Sequence, residues 1–229
     1  MVIEDKLELL RTGEIGKMRR ISNASNASIY CEVSSAGQTC RAIYKPIAGE
    51  RPLWDFESGN LASRELAAFL VDQTLGFEIV PPTILREGPF GLGALQLWID
   101  DAIFKPEEIS VVSNPLRRIA LFDVVVNNTD RKIGHLLYKG DHVWGCDHGV
   151  TFHEQFKLRT VLWQFSEFPL SDTEIQNLQY LQANLPKELP ELISDAEISA
   201  LITRINNLLL EKKFPLPPTD WPAIPWPPF

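Results

Sequence analysis

All four histidines of the chain, His135, His142, His148 and His153, fall within nineteen residues; Asp141 and Asp147 share that stretch, and Asp130 lies five residues before it. A polar loop with solvated histidines is the plain reading. Its spacing allows a sharper one. Leu136-Leu137-Tyr138 and His142-Val143-Trp144 are short strand-like runs around Lys139-Gly140-Asp141, a good hairpin turn. Closing that hairpin lays Asp147 opposite residues 133–135, close to the loop that bears Asp130. Two acids and an imidazole then converge at one open end. Carboxylates so placed repel each other unless a cation lies between them, and oxygen ligands with phosphate suit magnesium. Gly149 is expected to permit a tight backbone after Asp147.

The complementary charge lies in the first half. In Ile43-Tyr44-Lys45-Pro46, strand alternation puts Lys45 on the face of Ile43, and Pro46 ends the strand. A lysine on a half-buried face wants an anion or a carboxylate. Glu65, twenty residues on, is the obvious carboxylate. A strand-end lysine alone is an ordinary surface residue. The series strand lysine, helix glutamate, strand and hinge, Asp loop, hairpin, Asp-x-Gly is more specific than any of its parts.

These residues need elements to position them. Residues 29–33 and 41–45 read as strands joined by a turn at 34–37. A loop with Pro46, Gly49, Pro52 and Gly59 leads to a helix over about 61–75, ended by Gly76. Strands follow at 79–85 and 95–99, split by Gly88-Pro89-Phe90-Gly91. The second half is more helical. Pro115 can open a helix running through Val126, and Ser171-x-x-Glu174 and Ser194-x-x-Glu197 are capping boxes for helices ending near Asn184 and Lys212. Residues 214–229 hold seven prolines and two tryptophans, too much proline for helix or sheet. They are expected to lie extended, with Trp221 and Trp226 tucked on the body. A proline-rich ligand for a partner is the alternative. The class is thus α+β: a strand-rich N-lobe over about 1–98, a helical C-lobe over about 99–229, and a hinge at 95–101.

Composition narrows the function classes. A chain of 229 residues can bury about 70–75% of its unfolded surface. Its 45% hydrophobic and 23% charged residues are ordinary for a globular protein. A net charge of −8 argues against nucleic acid and anionic membrane as partners. No apolar run approaches the ~20 residues of a membrane span, and residues 1–20 are too polar for a signal peptide, so a cytoplasmic protein without stable membrane association is expected. Cys31, Cys40 and Cys146 lack metal-type spacing, and reduced thiols are expected.

The ordering resembles the protein-kinase-like superfamily, and the local sequences are most similar to its phosphoinositide 3/4-kinase branch, especially type II 4-kinases. The segments concerned are Ile43-Tyr44-Lys45-Pro46, residues 61–72 around Glu65, Ile79-Val80-Pro81, Gln96-Leu97-Trp98, Asn128-Thr129-Asp130-Arg131 and Asp147-His148-Gly149. Over nearly its whole length the chain also resembles a bacterial phosphatidylinositol-kinase-like family of unassigned activity, through residues 44–56 and the final Trp-Pro-Pro-Phe.

The resemblance implies a two-lobed kinase-like domain over 1–229 that uses ATP and Mg2+, with Mn2+ as an alternative. Lys45 would contact the α- and β-phosphates and pair with Glu65. Gln96, Leu97 and Trp98 would present backbone groups to adenine, and Ser25 and Asn26 would stand in for the glycine-rich loop. Asp130 would orient or deprotonate an unknown acceptor, and Asp147 would hold the metal. His135 occupies the position where the family commonly has an asparagine metal ligand, and imidazole suits manganese or zinc better. Three functions follow: a phosphotransferase on a protein, small molecule or lipid; a nucleotide-binding pseudokinase; and a metal-dependent phosphohydrolase using the histidine cluster.

Overall fold

Burial alternates along residues 29–46, and that alternation builds the first layer. In the computed structural model, which describes residues 3–21, 27–56 and 59–229, strands β1 (Glu14–Arg20), β2 (Ile29–Ser35), β3 (Gln38–Pro46), β4 (Thr83–Gly88) and β5 (Gly91–Leu97) form one antiparallel sheet in the order β1-β2-β3-β5-β4. Cys31, Val33, Ala42, Tyr44 and Leu95 are fully buried on its inner side. Helix α1 (Ile3–Thr12) packs Leu7, Leu9 and Leu10 inward, and α2 (Leu61–Leu75) covers β4 and β5. Gly76, left-handed at φ 67°, stops α2 where expected.

Residues 79–82 are not part of the strand expected at 79–85. Asp72 Oδ2, at the end of α2, accepts the N–H groups of Ile79 (3.0 Å) and Val80 (2.9 Å), and Pro81 and Pro82 have none to give to a ladder. Strand β4 therefore begins at Thr83.

The second half is built on α3 (Asn114–Val126), whose residues 119–126 are all buried. The hairpin of β6 (Leu136–Lys139) and β7 (His142–Gly145) closes through Gly140-Asp141. Helices α4 (Asp172–Ala183) and α6 (Asp195–Glu211) carry both capping boxes, and a short α5 (Leu189–Leu192) lies between them. One cluster of buried side chains runs from Leu7 to Phe214 through both halves.

The tail packs irregularly. Ala223 O accepts from Thr160 N–H (3.0 Å) and Trp163 Nε1 (2.8 Å), and Pro228 O accepts from Ile133 N–H (2.8 Å). Trp221 stacks on Lys157 and Arg159, whereas Trp226 is 89% exposed rather than tucked on the body. All three cysteines are free. No helix among the described residues is long and apolar enough to cross a membrane.

Candidate active site

A cleft of about 760 Å³ opens between the sheet and the hairpin, lined by Lys45, Glu65, Leu97, Asp130, His135 and Asp147 among others. Lys45, next to last in β3, reaches across it. Its Nζ donates to Glu65 Oε1 on α2 and, at 2.9 Å, to Asp147 Oδ1 after β7. Burial works against the ammonium charge, but the carboxylates of Asp147 and Glu65 more than offset it, so the Lys45 pKa is raised. In return the Lys45 ammonium holds the Asp147 carboxyl well below the usual carboxylate range. The sheet, α2 and the hairpin thus meet at one amine.

Asp147 is placed by the hairpin register: Leu136 pairs Gly145, and Cys146 N–H donates to His135 O at 3.0 Å. Asp147 itself takes the left-handed backbone (φ 61°), a conformation aspartate tolerates. Gly149 does not supply the turn. Its backbone lies against α2, where a Cβ would make ordinary contact with Leu61 at 3.4 Å.

Asp130 sits on a rigid loop. Its N–H donates to Asn128 Oδ1 (3.0 Å), and Asn128 Nδ2 donates to Asp123 Oδ1 (3.0 Å). Arg131, fully buried, forks onto both Asp123 oxygens, donates to Cys146 O (2.8 Å), and contacts His148 Nε2 at 2.7 Å. Arginine can only donate, so His148 accepts through Nε2. The ion pair Asp123–Arg131 thereby locks α3, the Asp130 loop and the end of the hairpin together. Burial raises the Asp130 pKa despite Lys132, whose Nζ lies 3.1 Å from Oδ2. A raised carboxylate is a better proton acceptor.

His135 behaves differently from the expected metal ligand. The 3-10 turn at Ile133–His135 brings the ring back over the N–H of Lys132, which reaches Nδ1 at 3.4 Å. Burial lowers the ring pKa to about 4, leaving it neutral. With Nδ1 accepting, the proton belongs on Nε2, 3.4 Å from Asp147 Oδ2. The ring offers the cleft an N–H rather than a lone pair.

The other histidines disperse. His142 stacks on Trp144 with centroids 4.5 Å apart, His153 packs edge-on to Phe56 at 5.4 Å, and His148 is buried against Arg131. No group of three or more His, Cys, Asp or Glu among the described residues could hold a metal. The histidine-rich hydrolase centre is therefore not assembled. Two carboxylates remain, Asp130 and Asp147. Hard oxygens completed by substrate phosphates are how Mg2+ is usually bound, and the donor set fits it.

Of the expected adenine contacts, Leu97 N–H already donates to Pro82 O (2.8 Å) and Trp98 N–H to Arg41 O (2.9 Å). The Gln96 side chain is spent on Thr83 Oγ1 (2.9 Å). The Leu97 carbonyl is what remains. Opposed antiparallel residues exchange two bonds, and Pro82 lacks the N–H that would complete the pair. Ser25 and Asn26 lie outside the described residues. Ala27, which follows them, lines the cleft and is pinned by its N–H to Gly49 O at 3.1 Å.

Lys132 and Arg159 line this cleft, and the buried Asp123 and Arg131 brace it from behind; sequence reasoning gave none of the four a role. Arg131 and Lys132 follow Asp130 directly, while Asp123 and Arg159 stand outside the motif segments; in each case the partner is set by the fold rather than by spacing.

No family model matches the sequence. The chain is 38% identical to Protein Rv2133c of Mycobacterium tuberculosis (strain ATCC 25618 / H37Rv) across 99% of its own length and 96% of that protein. It is 27% identical to Phosphatidylinositol 4-kinase gamma 8 of Arabidopsis thaliana over 67% of this chain, a match that spans 35% of the plant protein. Among solved structures it is similar to hydra Fam20 with sugar, with a TM-score of 0.65 at 15% identity, covering 91% of this chain and 87% of that one. It is also similar to the Golgi casein kinase with Mn/ADP bound, with a TM-score of 0.63 at 14% identity, covering 91% and 75%. At these identities the likeness speaks for the fold, and the fold is protein-kinase-like.

Proposed function

Starting from a chain that belongs to the same family as the mycobacterial Protein Rv2133c and has a protein-kinase-like fold, we propose that it is an ATP-dependent phosphotransferase of the phosphoinositide 3/4-kinase-like type, with residues 1–229 acting as one domain. The observation that carries this reading is the Lys45 amine held between Glu65 of one half and Asp147 of the other. An amine kept charged in a cleft, against a half-exposed carboxylate, is positioned to exchange that partner for phosphate oxygens.

Adenine would lie among Ile21, Ile43, Leu97 and Leu137, giving its exocyclic amine to the Leu97 carbonyl. Lys45 would turn to the α- and β-phosphates while Glu65 keeps it oriented. Asp147 would hold Mg2+ or Mn2+, which when bound neutralises charge on the phosphates; the Mn/ADP carried by the Golgi casein kinase supports that pairing in this fold. The acceptor hydroxyl attacks the γ-phosphorus, the bond to the β,γ-bridging oxygen breaks, ADP leaves, and the hydroxyl proton passes to Asp130. Such reactions depend on positioning and electrostatics, so few residues suffice.

Lys45→Ala and Asp147→Asn should each abolish the thermal shift produced by Mg-ATP. Unchanged shifts in both would remove the reading. A nucleotide-binding module without turnover is the second reading, favoured by the N–H that His135 turns toward Asp147. Asp130→Ala separates the two: it should keep the Mg-ATP shift and lose ADP formation, whereas a wild-type protein that forms no more ADP than this variant is a binding module.

A further inference from the structure

The cleft contains a second cation whose donors are not committed. Arg159 lines it and is tied closely to the segment that bears Asp130. Its Nε donates to Thr129 O at 2.7 Å, its N–H donates to Asn128 O at 2.9 Å, and its carbonyl accepts Arg131 N–H at 3.1 Å. The guanidinium carbon stands 5.5 Å from the ring centre of Trp221. The two main-chain bonds fix the backbone of Arg159, and the Nε bond to Thr129 O with the Trp221 face orients its guanidinium. Among the described residues, neither of its terminal nitrogens meets a hydrogen-bond acceptor or a carboxylate.

The two lysines of the cleft are spent differently. Lys45 is shared by Glu65 and Asp147, and Lys132 is paired with Asp130. Arginine in a fixed plane presents two parallel N–H groups that match a carboxylate or phosphate bidentately, which a lysine cannot do. In a chain of net charge −8, a preorganised and unpaired fork beside the candidate base is a local exception that wants an anion.

We propose that Arg159 binds an anionic group, phosphate or carboxylate, carried by the acceptor, and so selects an acidic hydroxyl compound and aims its hydroxyl at Asp130. This rests on the phosphotransferase reading and names the acceptor class for it. Arg159 is a specificity determinant here: it holds the acceptor by a group that does not react, while the transferred phosphoryl group and the proton follow the path already given.

The test uses the full chain saturated with Mg-AMP-PNP, titrated calorimetrically with sn-glycerol 3-phosphate, D-glycerate and glycerol. Phosphatidylcholine vesicles with and without phosphatidylglycerol form a parallel arm. The two free anions, or the phosphatidylglycerol vesicles, are expected to bind saturably, and glycerol and plain vesicles are not. Binding confined to the free anions marks a soluble acceptor, and binding confined to the vesicles marks a lipid headgroup; both support the proposal. Arg159→Gln, whose amide can still reach Thr129 O, should weaken anion binding at least tenfold and leave the Mg-AMP-PNP thermal shift in place. Arg159→Lys should recover only part of the loss, and it carries the test should the glutamine variant not fold. Failure of every anionic probe, equal binding of glycerol, or an unaffected Arg159→Gln would overturn the proposal. So would loss of the nucleotide shift in Arg159→Gln, which would put the fork on the nucleotide. A nucleotide shift that survives Lys45→Ala and Asp147→Asn would instead strike the phosphotransferase reading alone.

Discussion

Single side chains set the charge state of the cleft. His135 faces Asp147 with an N–H because the Lys132 amide occupies its other nitrogen. Replacing it by asparagine would put an amide oxygen within reach of the metal, so His135→Asn should keep or raise magnesium-supported transfer. A complete loss with magnesium would show that the imidazole N–H itself is required. Asp72 makes a different prediction. Burial raises its pKa to about 7, against the lowering effect of the Val80 and Ile79 amides. A carboxyl whose pKa is raised on folding binds its proton more tightly in the folded state. Its contribution is therefore full below the ordinary carboxylate range and is lost as pH rises through about 7. Between pH 5 and 8 this amounts to roughly 2 to 3 kcal/mol. Asp72→Asn retains an oxygen for both amides and cannot ionise, so its urea-unfolding stability should fall less over that range than that of wild type. Parallel pH profiles of the two proteins would exclude Asp72 as the source.

At the scale of elements, α2 is the part that joins the halves. One residue before Glu65, the buried Arg64 donates to Asn60 Oδ1 (3.1 Å), Thr151 O (2.5 Å) and Glu197 Oε1 (2.5 Å). Glu197 is also the capping-box residue of α6. Arg64→Met would strip that nearly buried carboxylate of its direct ion-pair partner, leaving the Ser194 bonds and the more distant charge of Arg204, and should cost about 3 kcal/mol in chemical unfolding; a loss below about 1 kcal/mol would mean that those remaining partners or solvent suffice for Glu197. The helix itself was legible in the sequence because apolar spacing, an acidic residue at the right distance from Lys45 and a terminal glycine all agreed. The capping boxes were legible for the same reason: their chemistry is local. Strand β1 was not, since it is an edge strand whose residues are mostly exposed and show no alternation. The apolar run at 79–82 looked like a strand, but a carboxylate from a preceding helix had taken its amides. In the site, the order of Lys45, Glu65, Asp130 and Asp147 could be read along the chain, while the lock of Asp123, Arg131 and His148 could not. Arg131 and His148 stand in quoted motif segments, but nothing in their spacing says that they pair with each other and with Asp123 until the fold brings them together.

The whole molecule closes around this cleft from the outside as well, through its C-terminal segment. Ile133, Thr160 and Trp163 flank the Asp130 loop, and each gives a hydrogen bond to the tail. Thr160 also donates to Asp123 Oδ2 at 3.2 Å, so the tail abuts the residue that anchors Arg131. Residues 220–229 thus support the lower wall of the cleft even though several of their side chains are exposed. Their removal would leave three donors to water or unpaired, at about 0.5–1.5 kcal/mol each, and would uncover the Arg159 plane by taking Trp221 away. A loss of roughly 2 to 4 kcal/mol corresponds to a fall of about 4–16 °C in melting temperature for a chain of this size. Lys45 and Glu65 lie outside these contacts, so the truncated protein should still show a Mg-ATP thermal shift from its lower baseline. Anion binding at Arg159 should weaken with it, because the guanidinium is then held by its Nε bond to Thr129 O alone. A truncated protein that melts at the wild-type temperature would mean that the tail rests on the fold without supporting it.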